Sequence, residues 1–374
     1  MFPIYNEPSF SGAPFNSSPD AAVAPVEMDG VAPKGFHATS VFPEYFKIGG
    51  QVKKWVLLEE SRMDCVVVVR GEAKLEAVEF RRLKRDDLVV LGRTEDGSQG
   101  IFVHDDAFSM EEDEAATLAA GNLFSFRSGR SRETAFSRDY DRLYELLRLE
   151  KRCGGTVVWV MGPAVAFDRD SRDAMTGLIR KGYVHALLAG NALATHDLEA
   201  ALMGTALGQD IYTQENRPNG HYNHLDLINT ARRCGSLPAL INGELAPQGE
   251  GVSDGIVHAV VEMGIPMVLA GSIRDDGPLP GVYADVYEAQ DAMRDITRRA
   301  TTVIAMATQL HTIAVGNMTP SYTVRDGKVR PVYFYSVDVS EFAVNKLHDR
   351  GTLLSTSIVA NVQDFLVHLN KNLD

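Results

Sequence analysis

Two adjacent carboxylates and an arginine follow one apolar run of the sequence. Asp275 and Asp276 stand in a loop stiffened by glycine and proline, and Arg274 directly precedes them. Adjacent carboxylates repel each other, so a buried pair would tend to hold one proton and could accept another from an ammonium group or a Cα. A guanidinium can fork onto the carboxylate of a ligand. A solvated turn with an Asx cap would show the same pattern, and both interpretations stay open at this point.

Further polar residues follow other apolar runs. Asn191 and Ala192 stand where a run enters a helix, and the free N–H groups of a helix N-terminus bind anions such as phosphate. Asp338 could hold a ribose hydroxyl pair, as an acidic residue does in dinucleotide folds. A lone histidine is usually a satisfied core or surface residue, but the position of His311 after a strand gives a functional role equal weight.

Glycine and histidine motifs are less specific. No G-x-G-x-x-G run follows a strand, so the usual dinucleotide fingerprint is absent. Gly204 and Gly208 could bring main chain against a cofactor, although such glycines more often serve helix packing or a helix C-cap. His221 and His224 lack a nearby cysteine or a third ligand at fixed spacing, so no metal site is predicted.

The elements that must position these residues form an alternating pattern after Gly154. Alternation of apolar runs with helical segments is typical of βαβ units, so we predict an α/β fold with a doubly wound parallel sheet. Ligands bind beyond the carboxyl ends of such strands. Six runs have the composition of buried strands, and they lie near residues 155–162, 183–189, 266–271, 301–306, 332–338 and 353–359.

Composition divides the chain into four parts. Residues 1–35 are rich in Pro, Ser, Gly and Ala and are predicted to be a disordered tail. Residues 36–110 contain short β-type runs and predict a small β-rich domain. A helical linker is predicted over 111–153, and the catalytic domain over 154–374.

The overall charge excludes some partners. The formal net charge is −13, from 37 basic and 50 acidic residues, so nucleic acid is not expected to bind. The sequence has no stretch of about 18 uninterrupted apolar residues and no secretory signal, so we expect no membrane contact and a cytoplasmic location.

Four stretches of the sequence together resemble one family. They read LAGNALATHD from Leu188, MGTALG from Met203, AGSIRDDGPLP from Ala270 and LHTIAVGNM from Leu310. The family they resemble is that of the NAD-dependent ornithine cyclodeaminases of the archaeal and cyanobacterial type. The domain of that family is often labelled lysine-oxoglutarate reductase/saccharopine dehydrogenase-like, and the resemblance covers roughly residues 37–370.

The resemblance implies a deoxyhypusine synthase-like NAD-binding domain, which lacks the glycine fingerprint. This sequence differs from the family at three places. Gln309 stands where the family commonly has Met, Asn361 stands where it commonly has Asp, and residues 322–331 look like an extra loop. The arginine-hydrolysing domain of the cyanobacterial members is absent from this sequence. The implied NAD contacts are Asn191, Ala192, Asp276, Thr308, Gln309, Leu310, His311, Asp338, Asn361 and Val362.

The implied reaction converts ornithine or a close diamino acid to proline, or its ring analogue, and ammonia without net redox change. Asp275 or Asp276 would accept the proton, and Arg274 or Arg62 would clamp the carboxylate of this small basic amino acid. The resemblance also implies a homo-oligomer. Two alternatives stay open: a saccharopine- or opine-type dehydrogenase, and a non-catalytic NAD-binding sensor.

Overall fold

The computed structural model describes residues 3–49, 54–71, 74–109, 138–243, 251–273, 278–343 and 353–374. They fall into two compact units. Unit 1 holds the described residues up to 109 together with 317–333 and 353–354. Unit 2 holds the described parts of 138–316, 334–343 and 355–374.

Nineteen strands and nine α-helices lie in the described residues. The strands are β1 Ile4–Tyr5, β2 Ala22–Pro25, β3 Glu44–Ile48, β4 Lys54–Leu57, β5 Cys65–Val69, β6 Leu75–Glu79, β7 Leu88–Leu91, β8 Ile101–Val103, β9 Phe108–Ser109, β10 Val157–Met161, β11 Ala186–Gly190, β12 Thr205–Ala206, β13 Gln209–Asp210, β14 Met267–Ala270, β15 Thr302–Met306, β16 Tyr322–Arg325, β17 Lys328–Pro331, β18 Tyr333–Asp338 and β19 Leu354–Val359. The helices are α1 Arg138–Arg152, α2 Arg169–Arg180, α3 Asn191–Met203, α4 His221–Cys234, α5 Leu237–Ile241, α6 Ile256–Glu262, α7 Val286–Thr297, α8 Gln309–Met318 and α9 Val362–Asn372.

A six-stranded sheet has the order β14-β11-β10-β15-β18-β19. The pairs β10–β11, β10–β15 and β11–β14 are parallel, and Val158 stands opposite Ala186 and Val303. All six strands predicted from the sequence are present in this sheet. The chain builds outward in one direction from β10 to β14 and then in the other from β15 to β19, so the topological switch point lies between β10 and β15.

The central strands are apolar because helices cover both faces of a doubly wound sheet. All five residues of β10 and all five of β15 are buried. Trp159 is fully buried in β10, and its indole N–H donates a hydrogen bond to the carbonyl of Tyr183 at 2.9 Å. This pairing satisfies the one polar group of the largest side chain in the sheet.

A buried ion pair connects three helices beside this sheet. The Nε of Arg172, in α2, donates to Oδ1 of Asp197, in α3, at 2.9 Å, and neither side chain is exposed. The other oxygen of Asp197 accepts the backbone N–H of Val257, in α6, at 2.8 Å. A second nitrogen of Arg172 bonds the carbonyl of Asp197 at 3.1 Å, so most of the desolvated charge is compensated.

Unit 1 consists of small β-sheets. One has four strands in the order β2-β7-β5-β6, and another has three in the order β4-β3-β8. Two apolar clusters fill this unit, one around Phe46 and Val67 and the other around Val66 and Val89. Val66 and Val67 fall in different clusters because consecutive side chains of a strand point to opposite faces.

The N-terminal residues correct one prediction. Described residues 3–35 are not a disordered tail, since β2 pairs with β7 and Ala22 stands opposite Leu91. Ala21 and Val26, at the two ends of β2, are buried. The prediction of disorder from composition was wrong because a short strand needs few apolar side chains of its own when a neighbouring sheet supplies its hydrogen bonds.

The domain boundaries also differ from the predicted ones. Residues 317–333 belong to unit 1 rather than to the domain predicted over 154–374. The extra loop predicted at 322–331 is the hairpin β16–β17, and Asp326 and Gly327 at its turn both have positive φ. The Tyr322 hydroxyl is fully buried and donates to the carbonyl of Leu58 at 2.6 Å. A helix, α1, lies in the predicted linker, while residues 110–137 lie outside the described residues.

Among the helices that the structure describes, none is long and apolar enough to span a bilayer.

Candidate functional site

A cavity of about 850 Å³ lies at the carboxyl ends of four strands in unit 2. Residues after β10, β11, β14 and β15 line it, among them Gly162, Asn191, Gly271 and Thr308. The volume is within the range of about 300–1,000 Å³ that small-molecule sites occupy. The cavity therefore coincides with the switch point at which open α/β sheets bind ligands.

One wall of the cavity is the N-terminus of α3. Gly190 caps the helix with φ −87° and ψ 164°, and no side chain caps it. Asn191 is buried, and its Oδ1 accepts the backbone N–H of Leu279 at 3.0 Å. That bond ties α3 to the segment after β14 and leaves the N–H groups at the start of α3 near the cavity. Ala192 also lines the cavity, so both sequence-predicted residues lie there.

The facing wall shows a close main-chain approach that sequence analysis missed. A Cβ placed on Gly162, just after β10, would lie 1.9 Å from the carbonyl oxygen of Ala307, just after β15. Ala307 has φ 52°, which is uncommon for a residue with a side chain. Only glycine fits at Gly162, and it brings the ends of β10 and β15 together at the switch point. Residues with uncommon backbone dihedral angles, such as Ala307, cluster at functional sites.

The N-terminus of α8 provides the rest of this wall. Thr308, Leu310 and His311 line the cavity, whereas Gln309 is exposed and lies outside its described lining. Oγ1 of Thr308 lies 3.4 Å from Nδ1 of His311. Burial lowers the pKa of His311 below its ordinary value. The imidazole is thus held in its neutral form, which can accept or donate a hydrogen bond to a ligand.

His311 and Gly190 meet across the cavity. A Cβ on Gly190 would lie 3.0 Å from Cε1 of His311, tighter than most real contacts. The absence of a side chain at this position therefore lets the imidazole stand close to the start of α3.

Three other sequence-predicted residues are outside the described lining of the cavity. Asp338 ends β18, and its Oδ1 accepts the N–H of Ser340 at 2.9 Å. Asn361 is the N-cap of α9 and accepts the N–H of Gln363 at 2.8 Å. Val362 is buried. All three lie at or just after the carboxyl end of a sheet strand, but the two polar side chains already serve local caps.

The predicted proton acceptors Asp275 and Asp276, and Arg274 beside them, lie outside the described residues. Arg62 lies in unit 1 and is buried. Its guanidinium forms a salt bridge with Glu79 and donates to the carbonyl of Ala77 at 2.6 Å. Two of the nitrogens that would clamp a substrate carboxylate are therefore already engaged.

The two glycines after α3 have structural positions. Gly204 is the left-handed C-cap of α3, as its spacing predicts. A Cβ on Gly208 would lie 2.5 Å from the carbonyl carbon of Gly220, so this glycine allows the hairpin to touch the start of α4. Glu199 organises this turn by accepting the backbone N–H groups of Leu207 and Gly208, both at 2.9 Å.

Comparison with known proteins identifies the family. The family model described as "Arginine dihydrolase ArgZ-like, C-terminal, Rossmann fold" matches residues 142–369. The chain belongs to this family. A Methanocaldococcus jannaschii protein named ornithine cyclodeaminase is 36% identical over 99% of this chain and 82% of its own length. A Methanopyrus kandleri protein of the same name is 37% identical over 95% of this chain and 78% of its own.

Solved structures give the same relationship. A LOR/SDH protein of Methanococcus maripaludis matches with a TM-score of 0.77 and 33% identity, over 95% of this chain and 98% of its own. AgrE, solved as a ternary complex with ornithine and NAD⁺, matches with a TM-score of 0.54 and 31% identity over 96% of this chain. This chain spans 46% of AgrE, which in Nostoc is named a bifunctional arginine dihydrolase/ornithine cyclodeaminase.

The alignments reach further than the sequence resemblance, which began at about residue 37. The match to the Methanocaldococcus jannaschii protein covers 99% of this chain, so it includes nearly all of the N-terminal residues that composition set apart. The N-terminal residues are therefore part of the sequence region that this chain shares with that relative.

Proposed function

We propose that this protein is an NAD-dependent ornithine cyclodeaminase that converts ornithine to proline and ammonia. Membership of the family makes it an NAD-using enzyme of the ornithine cyclodeaminase type. The observation that supports a site in this chain is the cavity at the switch point, which has a helix N-terminus on each of two walls. The proline product and the redox-neutral course are parts of the proposal.

The cavity walls fit a dinucleotide. The N–H groups that open α3 and α8 are unpaired within their helices and favour anions such as a pyrophosphate. Glycine at position 162 lets the ends of β10 and β15 approach each other, and glycine at position 190 lets His311 stand close to the start of α3. The glycines of the usual fingerprint likewise allow a tight turn, close packing and main-chain approach to the pyrophosphate. A deoxyhypusine synthase-like mode of NAD binding would explain why that fingerprint is missing.

We assign the cofactor contacts accordingly. Asn191, Ala192 and the start of α8, from Thr308 through Gln309 and Leu310 to His311, would hold the nucleotide within the cavity. Asp338 would bind a ribose diol through Oδ2, because Oδ1 accepts the N–H of Ser340. Asn361 and Val362, at the start of α9, would complete the cofactor site. Asp276 would add a contact from the loop that follows β14.

When bound, NAD would supply reversible hydride transfer at the substrate carbon. Oxidation at Cα would give an imine, the side-chain amine would add to that imine with loss of ammonia, and reduction of the resulting cyclic imine would give proline with no net redox change. Asp275 or Asp276 would take the proton from the α-ammonium group. Of the two candidate carboxylate clamps we favour Arg274, because Arg62 already bonds Glu79 and Ala77. His311, held neutral, would orient a ligand group without adding charge.

A turnover experiment tests the proposal. The protein is incubated with L-ornithine and a substoichiometric amount of NAD⁺, and products are followed by mass spectrometry and NADH by absorbance. We expect many molecules of proline and ammonia per NAD⁺ and no accumulation of NADH. NADH formed in step with product would instead indicate an opine- or saccharopine-type dehydrogenase. No turnover of ornithine, lysine or diaminobutyrate, with NAD still bound, would indicate a sensor.

A double substitution tests the proton acceptor. Asp275→Asn combined with Asp276→Asn should abolish turnover while leaving thermal stability unchanged, because the carboxylates act on substrate. Asp86→Asn is the matched control, since Asp86 is an exposed aspartate of unit 1 with positive φ, a conformation that Asn also tolerates. Full activity in the double variant would show that the base lies elsewhere.

A further inference from the structure

Two histidines and a glutamate converge between α3 and α4, apart from the nucleotide cavity lining. His196 and Glu199 lie on α3, and His224 lies on α4. One ligand atom from each residue lies within 4.8 Å of the other two. This cluster is not recognisable in the sequence, because 25 positions separate Glu199 from His224 and only the fold brings them together.

The distances do not fit hydrogen bonds. Nδ1 of His196 lies 3.6 Å from Oε2 of Glu199, and Nδ1 of His224 lies 3.8 Å from the same oxygen. A hydrogen bond between such atoms would be about 2.7–3.2 Å long. Among the described residues, neither Nδ1 atom has a hydrogen-bond partner, although both are buried. His196 is 5% exposed, so its unpartnered nitrogen is enclosed and faces the carboxylate.

The carboxylate is fixed before any ligand arrives. Oε1 of Glu199 accepts the Thr205 hydroxyl at 2.7 Å and the Gly208 N–H at 2.9 Å. Its other oxygen, Oε2, accepts the backbone N–H of Leu207 at 2.9 Å. Three hydrogen bonds thus orient the carboxylate, and such supporting hydrogen bonds are typical of metal ligands.

From this geometry we infer that His196, Glu199 and His224 bind one divalent transition-metal ion, for which Zn²⁺ is the best match. Zinc bonds of about 2.0–2.2 Å to N and O put neighbouring ligand atoms of a tetrahedron roughly 3.3–3.5 Å apart. The observed 3.6 and 3.8 Å need only a small contraction. Two imidazoles and one carboxylate form a known zinc ligand set, which leaves one position for water.

The ion would join α4 to α3 and fix the β12–β13 hairpin between them. α3 opens at Asn191, so the ion would stabilise the helix whose N-terminus forms one wall of the nucleotide cavity. His224 is 29% exposed at its side chain and offers a route from solvent. The inference does not depend on the proposed function, because the three ligands are outside the cavity lining.

Calorimetry with Zn²⁺ on the full-length, untagged, chelator-treated protein tests the inference. We expect one ion per chain in the wild type and affinity at least about tenfold weaker in His224→Ala, which removes one of three ligands. His221→Ala is the matched control, because His221 lies on the same helix three residues away and is exposed, and we expect its affinity to equal that of the wild type. No binding by the wild type, or equal affinity in His224→Ala, would overturn the inference.

A spectroscopic measurement on the wild type covers the case in which His224→Ala does not fold. Co²⁺ added to the chelator-treated protein should give an intense visible band, which a tetrahedral site produces, and Zn²⁺ should displace it stoichiometrically. A weak octahedral spectrum, or a band that Zn²⁺ does not remove, would refute the site. Either result is independent of turnover of ornithine.

Discussion

Gly190→Ala should weaken NAD binding without destabilising the fold. Gly190 has φ −87° and ψ 164°, which alanine adopts freely, so no backbone strain arises. The new methyl group would meet Cε1 of His311 at 3.0 Å, and the imidazole has to withdraw to the 3.4 Å at which ordinary contact begins. The methyl group and the displaced ring both intrude on the cavity. We expect about a tenfold rise in the Kd of NAD⁺, equivalent to about 1.4 kcal/mol.

The stability of this variant should change little because two small effects oppose each other. Replacing glycine by alanine at a compatible conformation stabilises a protein by about 0.4–1 kcal/mol through the unfolded state. The close contact and the poorer helix cap cost a similar amount. NAD⁺ titration and urea unfolding measure the two quantities.

Gly12→Ala provides the control, since nothing lies within 4 Å of a Cβ at Gly12. It should leave the Kd unchanged and raise the free energy of unfolding by no more than about 0.4–1 kcal/mol. Wild-type NAD⁺ affinity in Gly190→Ala would refute the assignment of this wall to the cofactor, and Gly190→Val should then also bind normally.

Three further predictions concern buried polar groups. Asp197→Ala removes the buried partner of Arg172 and leaves it only the partly exposed Asp254 at 3.4 Å, so it should lower the free energy of unfolding by about 3–5 kcal/mol in urea titrations. A loss no larger than that of Asp86→Asn, at an exposed aspartate, would contradict the role of the buried pair. Tyr322→Phe leaves the carbonyl of Leu58 without its hydroxyl partner and should cost about 1–3 kcal/mol by the same measurement. Burial lowers the pKa of His311, so its imidazole binds a proton less readily in the folded protein than in the unfolded chain. The free energy of unfolding should therefore fall as the pH drops from about 6.5, the ordinary pKa of histidine, to the lower pKa of the folded state. His311→Gln should therefore reduce the fall in Tm between about pH 7 and 5 relative to the wild type, and an unchanged slope would refute this assignment.

The parallel sheet could be predicted because its signal is local. Each of the six strands is an apolar run of β-type residues, as Val157–Met161 and Thr302–Met306 show, and alternation with helices restricts the topology. The carboxyl-end rule then placed Asn191 and His311 at one edge, and both line the cavity. The family was recognised from its motifs and is confirmed by the archaeal relatives.

Other features depend on contacts that composition does not encode. The strand Ala22–Pro25 forms because Leu88–Leu91 offers it a free edge, and no property of its own four residues predicts that. Residues 317–333 join unit 1 although the chain around them builds the other unit. Glu199 has no visible signal in the sequence, since its partners Thr205 and Gly208 meet it only through the turn after α3.

The closeness of β10 and β15 would explain how the proposed nucleotide site forms without the glycine fingerprint. In the usual fold, glycines in one turn let main chain reach the pyrophosphate. Here two positions require glycine. A Cβ at Gly162 would meet the Ala307 carbonyl, and a Cβ at Gly190 would meet His311. These two glycines end different strands, so no single motif contains both. The two glycines are therefore not recognisable as a motif along the chain. The requirement for glycine becomes evident only in the folded structure, where the ends of neighbouring strands lie side by side.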